Sequence, residues 1–349
     1  MLKNPKFKTQ VTTIGSATED LIFLCSEALI LPGDGPTREK IIGFEYGAKI
    51  PIGQIKNCLG GAGANVACGL SFLGLKTKAC VAVGGDDTGK RIKRSLAQSG
   101  VGIDLVHSVY SSLSDRSVIM VESQDRDRTI FYSRDAGNHL QLKDISKWRT
   151  EWVFISSLNL GWEKKLGQIM KLRRDWGTKI AFNPGKLQIK AGLDFLAPLL
   201  RETSILILNW DEALELVSGQ RDLMEKSKGK KITPKKVIKY IQSKGPQVVI
   251  ITRGRKGSLA TDGSFFYRAP ALSPKRVELT GAGDAFSSGF LAAWIHYPGD
   301  VKKALSWGMT NSGSSVMYFG AQKGLLKLSQ MKRKVNDVIM SNLISESSI

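Results

Sequence analysis

ITPKKVIKYIQSKGPQVVIIT, residues 232–252, reads as one helix running straight into one buried strand. Thr233 is a natural N-cap. Pro234 follows at the first helical position, where a missing amide costs nothing, and Gly245-Pro246 stops the helix before Gln247. Val237, Ile238 and Ile241 share one helical face, which leaves the lysines around them to solvent. QVVIIT (247–252) is a short run of β-branched residues, the composition of a core strand.

The same grammar repeats outward from this unit. TKACVAV (77–83), EWVFIS (151–156), KIAFN (179–183) and SILILN (204–209) are further core strands, and Gly89 to Ser99, with Ile92 and Leu96 four apart, is a helix ended by Gly100. Strands alternating with helices build a parallel sheet covered by helices, so the predicted class is α/β. At 349 residues, with 42% hydrophobic and 23% charged content, the chain suits one large core with an appended substructure.

Two segments break the alternation. Residues 22–56 and 107–134 read as antiparallel strands with polar turns, and in sequence they flank a glycine-rich element at 60–65. They are predicted to pair into a small sheet over the pocket, a lid.

Composition narrows the function. MLKNPKFKTQ leads into no apolar signal core and no apolar run is long enough to span a bilayer, so the expectation is a cytoplasmic protein without a membrane partner. Cys25, Cys58, Cys68 and Cys80 lack CxxC spacing and read as buried free thiols, and His107, His139 and His296 are scattered singly. The net charge of +20, from 51 Lys and Arg against 31 Asp and Glu, raises a second reading: a non-catalytic nucleic-acid or regulatory binding protein. The densest basic stretch, Lys226 to Lys244, has no aromatic interleaving for base stacking and becomes the solvated face of the helix above, so nucleic acid is not the expected partner. Gly84 to Lys90 imitates a P-loop, but Arg91 stands where a Ser or Thr would hold Mg²⁺. No G-x-G-x-x-G follows the first strand, which speaks against a dinucleotide-binding oxidoreductase.

The chemistry concentrates at Glu278-Leu-Thr-Gly-Ala-Gly-Asp-Ala-Phe286. Gly281, Ala282 and Gly283 have almost no side chain, so successive amides can close around an anion at a helix start. Asp284, in the first turn, could take a proton from an attacking hydroxyl. An acidic residue at a helix N-terminus also occurs without catalysis. This segment resembles the C-terminal D-T-x-G-A-G-D signature of the ribokinase-like (PfkB) carbohydrate kinase family, whose last Asp is the base. Gly60-Gly-Ala-Gly-Ala-Asn-Val-Ala67 resembles the family's N-terminal Gly-Gly signature, so the resemblance implies that Gly60, Gly61 and Asn65 meet substrate hydroxyls.

Further positions follow the family order. Gly15 to Asp20 resembles the strand-one element whose Asp binds sugar hydroxyls, which makes Asp20 a candidate substrate ligand. Asn209-Trp-Asp-Glu212 resembles the N-x-x-E element acting on phosphate and magnesium, with Glu212 as a Mg²⁺ ligand through water. Thr252-Arg-Gly-Arg-Lys-Gly257 resembles a turn beside the nucleotide, which nominates Thr252, Gly254 and Gly257. Asn183 and Asn311 join them as nucleotide-side candidates, Asn311 with Gly320-Ala321 on the adenine side.

The resemblance implies a three-layer α/β/α ribokinase-like core over residues 9–328, a C-terminal helix or tail over 329–349, and ATP with Mg²⁺. The expected activity is phosphorylation of a hydroxyl on a small sugar or nucleoside. Pairing of two copies through the lid is common in such kinases, so a homodimer is a further expectation. Glu278 and Leu279 depart from the usual D-T, and Leu279 lacks the side-chain oxygen that helps many relatives hold a monovalent cation.

Overall fold

Six strands in one parallel array set the architecture of the computed structural model. It describes residues 7–35, 38–123, 128–220, 232–272, 277–340 and 345–348. Across the array run Thr77–Cys80, Thr9–Ile14, Thr150–Ile155, Lys179–Phe182, Thr203–Asn209 and Val248–Thr252. Ser258–Thr261, Phe265–Ala269 and Ser345–Ser348 then extend the sheet antiparallel to nine strands.

Alternate residues along these strands feed two separate cores, as a sheet covered on both faces requires. Ile14, Val153, Ile155, Phe182, Leu206, Leu208, Val249 and Ile251 pack on the helices Trp162–Trp176, Lys186–Glu202, Trp210–Val217 and Pro234–Gln242. Val11, Trp152, Phe154, Ala181, Ile205, Ile207, Val248 and Ile250 pack on Ala62–Phe72, Ala282–His296, Val301–Ser315 and Leu328–Met340. The result is the three-layer α/β/α arrangement with a mostly parallel sheet. Thr233 caps the Pro234–Gln242 helix through Lys236 N as expected. Of the basic stretch 226–244, residues 226–231 lie outside the described residues.

The lid departs from the expected boundaries at three places. It is a four-stranded sheet in the order Arg128–Ser133, Arg116–Glu122, Thr18–Cys25, Lys56–Gly60. Its first strand therefore starts at Thr18 rather than 22, only three residues after the glycine that ends the core strand. Within 22–56, Leu29–Gly35 and Arg38–Gly43 form a hairpin of their own, with Pro36 and Thr37 outside the described residues. At the other segment, His107–Val109 pairs in parallel with Ala82–Gly84 beside the core, so the lid portion begins at Arg116. That pairing also splits the expected 77–83 strand, because the chain past Cys80 leaves Thr9–Ile14 for a new partner.

Buried Glu19 ties the lid to the core. It accepts from Thr88 Oγ1 at 2.9 Å and Asn57 Nδ2 at 3.1 Å, and it pairs with Arg91 and, at 3.6 Å, with Arg116. Cys25, Cys68 and Cys80 are buried free thiols, while Cys58 is only half-buried. Among the described residues no helix is long and apolar enough to cross a membrane.

Candidate active site

The parallel strands all point their C-terminal ends at one edge, where Gly15, Ser156, Asn183, Asn209 and Thr252 lie. In open α/β sheets, ligands bind at that edge. Two helices on the same side of the sheet begin there, Ala62–Phe72 and Ala282–His296. Each has a glycine N-cap at positive φ, 88° at Gly61 and 77° at Gly281. Neither glycine tolerates a side chain: a Cβ on Gly61 would come within 2.6 Å of Ala17 Cα, and one on Gly281 would overlap Ala321. The helices run close because a Cβ on Gly69 would likewise overlap Ser288.

Their starts bring together what the sequence separates by more than two hundred residues. Asn65 Nδ2 donates to Asp284 Oδ2 at 2.8 Å. Burial above all, reinforced by the like charge of Asp20, pushes the Asp284 carboxyl up to about 6, against the opposing pull of the Asn65 amide and Arg128. Asp20 reaches the same place from the lid. Its carboxylate fills the space that a side chain on Gly60 would take, which is why position 60 must be glycine, and Thr18 Oγ1 donates to it at 2.8 Å. Burial also raises the Asp20 carboxyl above the ordinary range.

The start of the Ala282–His296 helix suits an anion. No side chain caps it, Ala282 N turns back to Leu279 O at 3.3 Å, and beside Gly283 there is open space where a Cβ would meet nothing, so the Gly283 and Asp284 amides can face a ligand. Thr280 Oγ1 is buried next to them without a hydrogen-bond partner, a further polar atom available to a ligand oxygen. Glu278, 1% exposed, ties down both flanks: it accepts from Thr280 N and, at 3.3 Å, from Gly320 N.

The nucleotide-side candidates divide. Asn209 and Glu212 form a reciprocal capping box, with both hydrogen bonds at 2.8 Å, so each is first a helix cap. Glu212 nonetheless carries a second signal: burial, with Asp211 and Asp284 adding to it, pushes its carboxyl up to about 7. A carboxylate held beside other carboxylates is a site where a cation relieves the repulsion. Asn183 donates to Ile207 O at 2.8 Å, and Thr252 Oγ1 reaches Leu208 O at 3.4 Å. Gly254 and Gly257, at φ 52° and 80°, make the turn after Thr252, where Arg255 and Lys256 are exposed.

Asn311 is the correction. It is fully buried, its amide donates to Ala285 O at 2.9 Å and Ser288 Oγ at 3.2 Å, and its oxygen accepts from Leu326 N at 3.0 Å. It clamps two helices and a loop together, so in this structure it presents no free polar atom to an adenine.

Two contributors escaped the sequence reading, and Glu278 figured there only as a departure from the usual D-T. Gln322 donates to Asn65 Oδ1 at 3.0 Å, Glu278 clamps the chain on either side of the Ala282–His296 helix start, and Arg128 lends positive charge to Asp284 from the lid. Arg128 opens a lid strand, which was its one visible signal; Gln322, next to Gly320-Ala321, had none.

Comparison with known proteins gives the family and the fold. Residues 34–328 match the model of the pfkB family carbohydrate kinases. The chain is 27% identical over 293 residues to an ATP-dependent 6-phosphofructokinase of Thermoanaerobacterium thermosaccharolyticum, covering 80% of this chain and 86% of that one. It is 25% identical over 340 residues to a ribokinase of Lactococcus lactis, covering 95% and 98%. A nucleoside kinase of Burkholderia thailandensis, solved with inosine, shares the fold at a TM-score of 0.75 and 17% identity, over 95% of this chain and 98% of that one. With the family matched across most of its length, the chain belongs to the pfkB family of carbohydrate kinases, and it is a kinase.

Proposed function

We propose that this kinase moves the γ-phosphoryl group of ATP onto a hydroxyl of a small sugar or nucleoside, with Asp284 as general base. The observation that carries the reading is the contact between Asn65 and Asp284, at 2.8 Å, beneath a lid strand that delivers Asp20. Asp20 accepts from acceptor hydroxyls, Asn65 orients the acceptor, and the Gly60-Gly61 backbone lets it approach. Asp284, at about 6, is a carboxylate at neutral pH yet basic enough to take the proton as the new P–O bond forms. The amides of residues 281–284 and the helix dipole stabilise charge on the transferring phosphoryl. Asn183, Asn209 and the 252–257 turn line the nucleotide side, and Glu212 would hold Mg²⁺. The bound ion would neutralise phosphate charge. The lid excludes water that would otherwise hydrolyse ATP.

The lid also supports pairing of two copies. Phe131 and Val118 are register partners on the lid face turned away from buried Ile22 and Ile119, and they are 57% and 38% exposed. Light scattering that returns the mass of one chain at working concentrations would remove the dimer.

The experiment that tests the function is a coupled ATP-consumption screen over sugars, sugar phosphates and nucleosides. Stoichiometric turnover of one acceptor class supports it. ATP left unconsumed across the whole panel rejects it.

A further inference from the structure

The loop at 318–323 touches three parts of the site. Phe319 packs against the lid cluster of Ile22, Ile119 and Val121, Gly320 N donates to Glu278, and Gln322 Nε2 donates to Asn65 Oδ1 at 3.0 Å. The last contact has a consequence for Asp284. A carboxamide is nearly symmetric in shape but not in polarity, so a buried Asn takes the orientation its partners dictate. Asn65 is 3% exposed, with its oxygen toward Gln322 and its nitrogen toward Asp284. A reversed amide would set its oxygen against the Asp284 carboxylate and, with Gln322 oriented as it stands, its nitrogen against the Gln322 nitrogen.

We infer that Gln322 is a positioning residue for the reaction: its donor fixes the Asn65 carboxamide so that N–H faces Asp284. Gln322 acts through Asn65, not on the substrate. Because it sits in the loop that also seats Phe319 under the lid and is tied by Gly320 to the anion-hole flank, the orientation of Asn65 is linked to the placement of that loop. The inference rests on Asp284 being the base, and the test separates the two.

Three variants of the full chain distinguish donor from acceptor at position 322. Gln322→Met keeps the length and loses the donor, Gln322→Glu offers only oxygen to the Asn65 oxygen, and Gln322→Lys keeps a donor. They are assayed with ATP and D-ribose, D-fructose 6-phosphate and inosine, using the acceptor that turns over fastest, beside Asp284→Asn. Loss of one hydrogen bond should lower kcat about five- to tenfold in Gln322→Met, with a larger fall, about a hundredfold, in Gln322→Glu, while Gln322→Lys keeps most of the rate. KM for ATP should stay level in all three, and Gln322→Met should have no further effect in an Asn65→Ala background. Because glutamate and lysine also differ in charge beside Asp284, the decisive readout is the absence of a further effect of Gln322→Met on Asn65→Ala, which a side chain that only supports the loop would not show. Equal activity of those two, or a full additive loss on Asn65→Ala, overturns the inference while Asp284→Asn remains inactive. An Asp284→Asn enzyme that keeps its turnover, or no turnover across the whole panel of sugars, sugar phosphates and nucleosides, overturns the parent reading and this inference with it.

Discussion

As the proposed general base, Asp284 would have to be acidic enough to ionise at neutral pH and basic enough to accept a proton, and its surroundings suit both. Since its carboxyl sits at about 6, kcat/KM should fall tenfold per pH unit below pH 6 and level off above it, a limb that a pH-rate profile reads directly. The same shift has a cost in stability. The folded-state value lies above the ordinary 3.8, so folding favours the protonated acid, and stability present below about pH 4 is lost as pH rises through 6. Asp284→Asn should escape that loss. Thermal melts should show the variant gaining on the wild type between pH 4 and 7, by about 1–3 kcal/mol at the top of that window. A gap that does not change with pH would show that the wild-type carboxyl is not strained in this way.

Among elements, the lid strand Thr18–Cys25 does most to assemble the site, since it carries Asp20 inward and is fastened to the core through Glu19. Phe319 seats from the opposite side, with Lys56 Nζ 4.1 Å from its ring centroid. Phe319→Ala should loosen the lid over the acceptor. Acceptor KM should rise about tenfold while KM for ATP is unchanged, and acceptor-independent ATP hydrolysis should increase as water enters. Unaltered acceptor KM and no added hydrolysis would free Phe319 of that role. The core strands were legible in the sequence because residues such as Val248 to Ile251 are apolar on both faces, which only a covered sheet demands. Lid boundaries were less so, because Arg128–Ser133 is largely exposed and alternates weakly, and pairing of Ala82–Gly84 with His107–Val109 is a choice of partner that no local pattern encodes. Asp284, Gly281 and Gly61 could be named because they fall in the two glycine-rich stretches that resemble the family's signatures. Gln322 and Glu278 could not, because their meaning lies in contacts such as Gln322 to Asn65, 257 residues apart. Asn311 was misjudged for the converse reason: an Asn suited to a ligand is equally suited to a buried helix clamp.

On the scale of the whole molecule, the net charge of +20 fits a protein whose substrate is a polyanion. Steering acts on encounter rather than on chemistry. Raising monovalent salt from about 50 to 300 mM should therefore lower kcat/KM for ATP by about three- to tenfold and leave kcat level. Equal kcat/KM at both salt concentrations would leave the charge without this role. The three layers, the shared strand edge and the two glycine-capped helices all converge on one carboxylate, so the decisive measurement is turnover by Asp284→Asn at saturating ATP and acceptor, paired with ATP affinity by calorimetry. Turnover should drop about a thousandfold or more with ATP bound as tightly as before. A variant that still transfers phosphate at the wild-type rate would place the base at another residue.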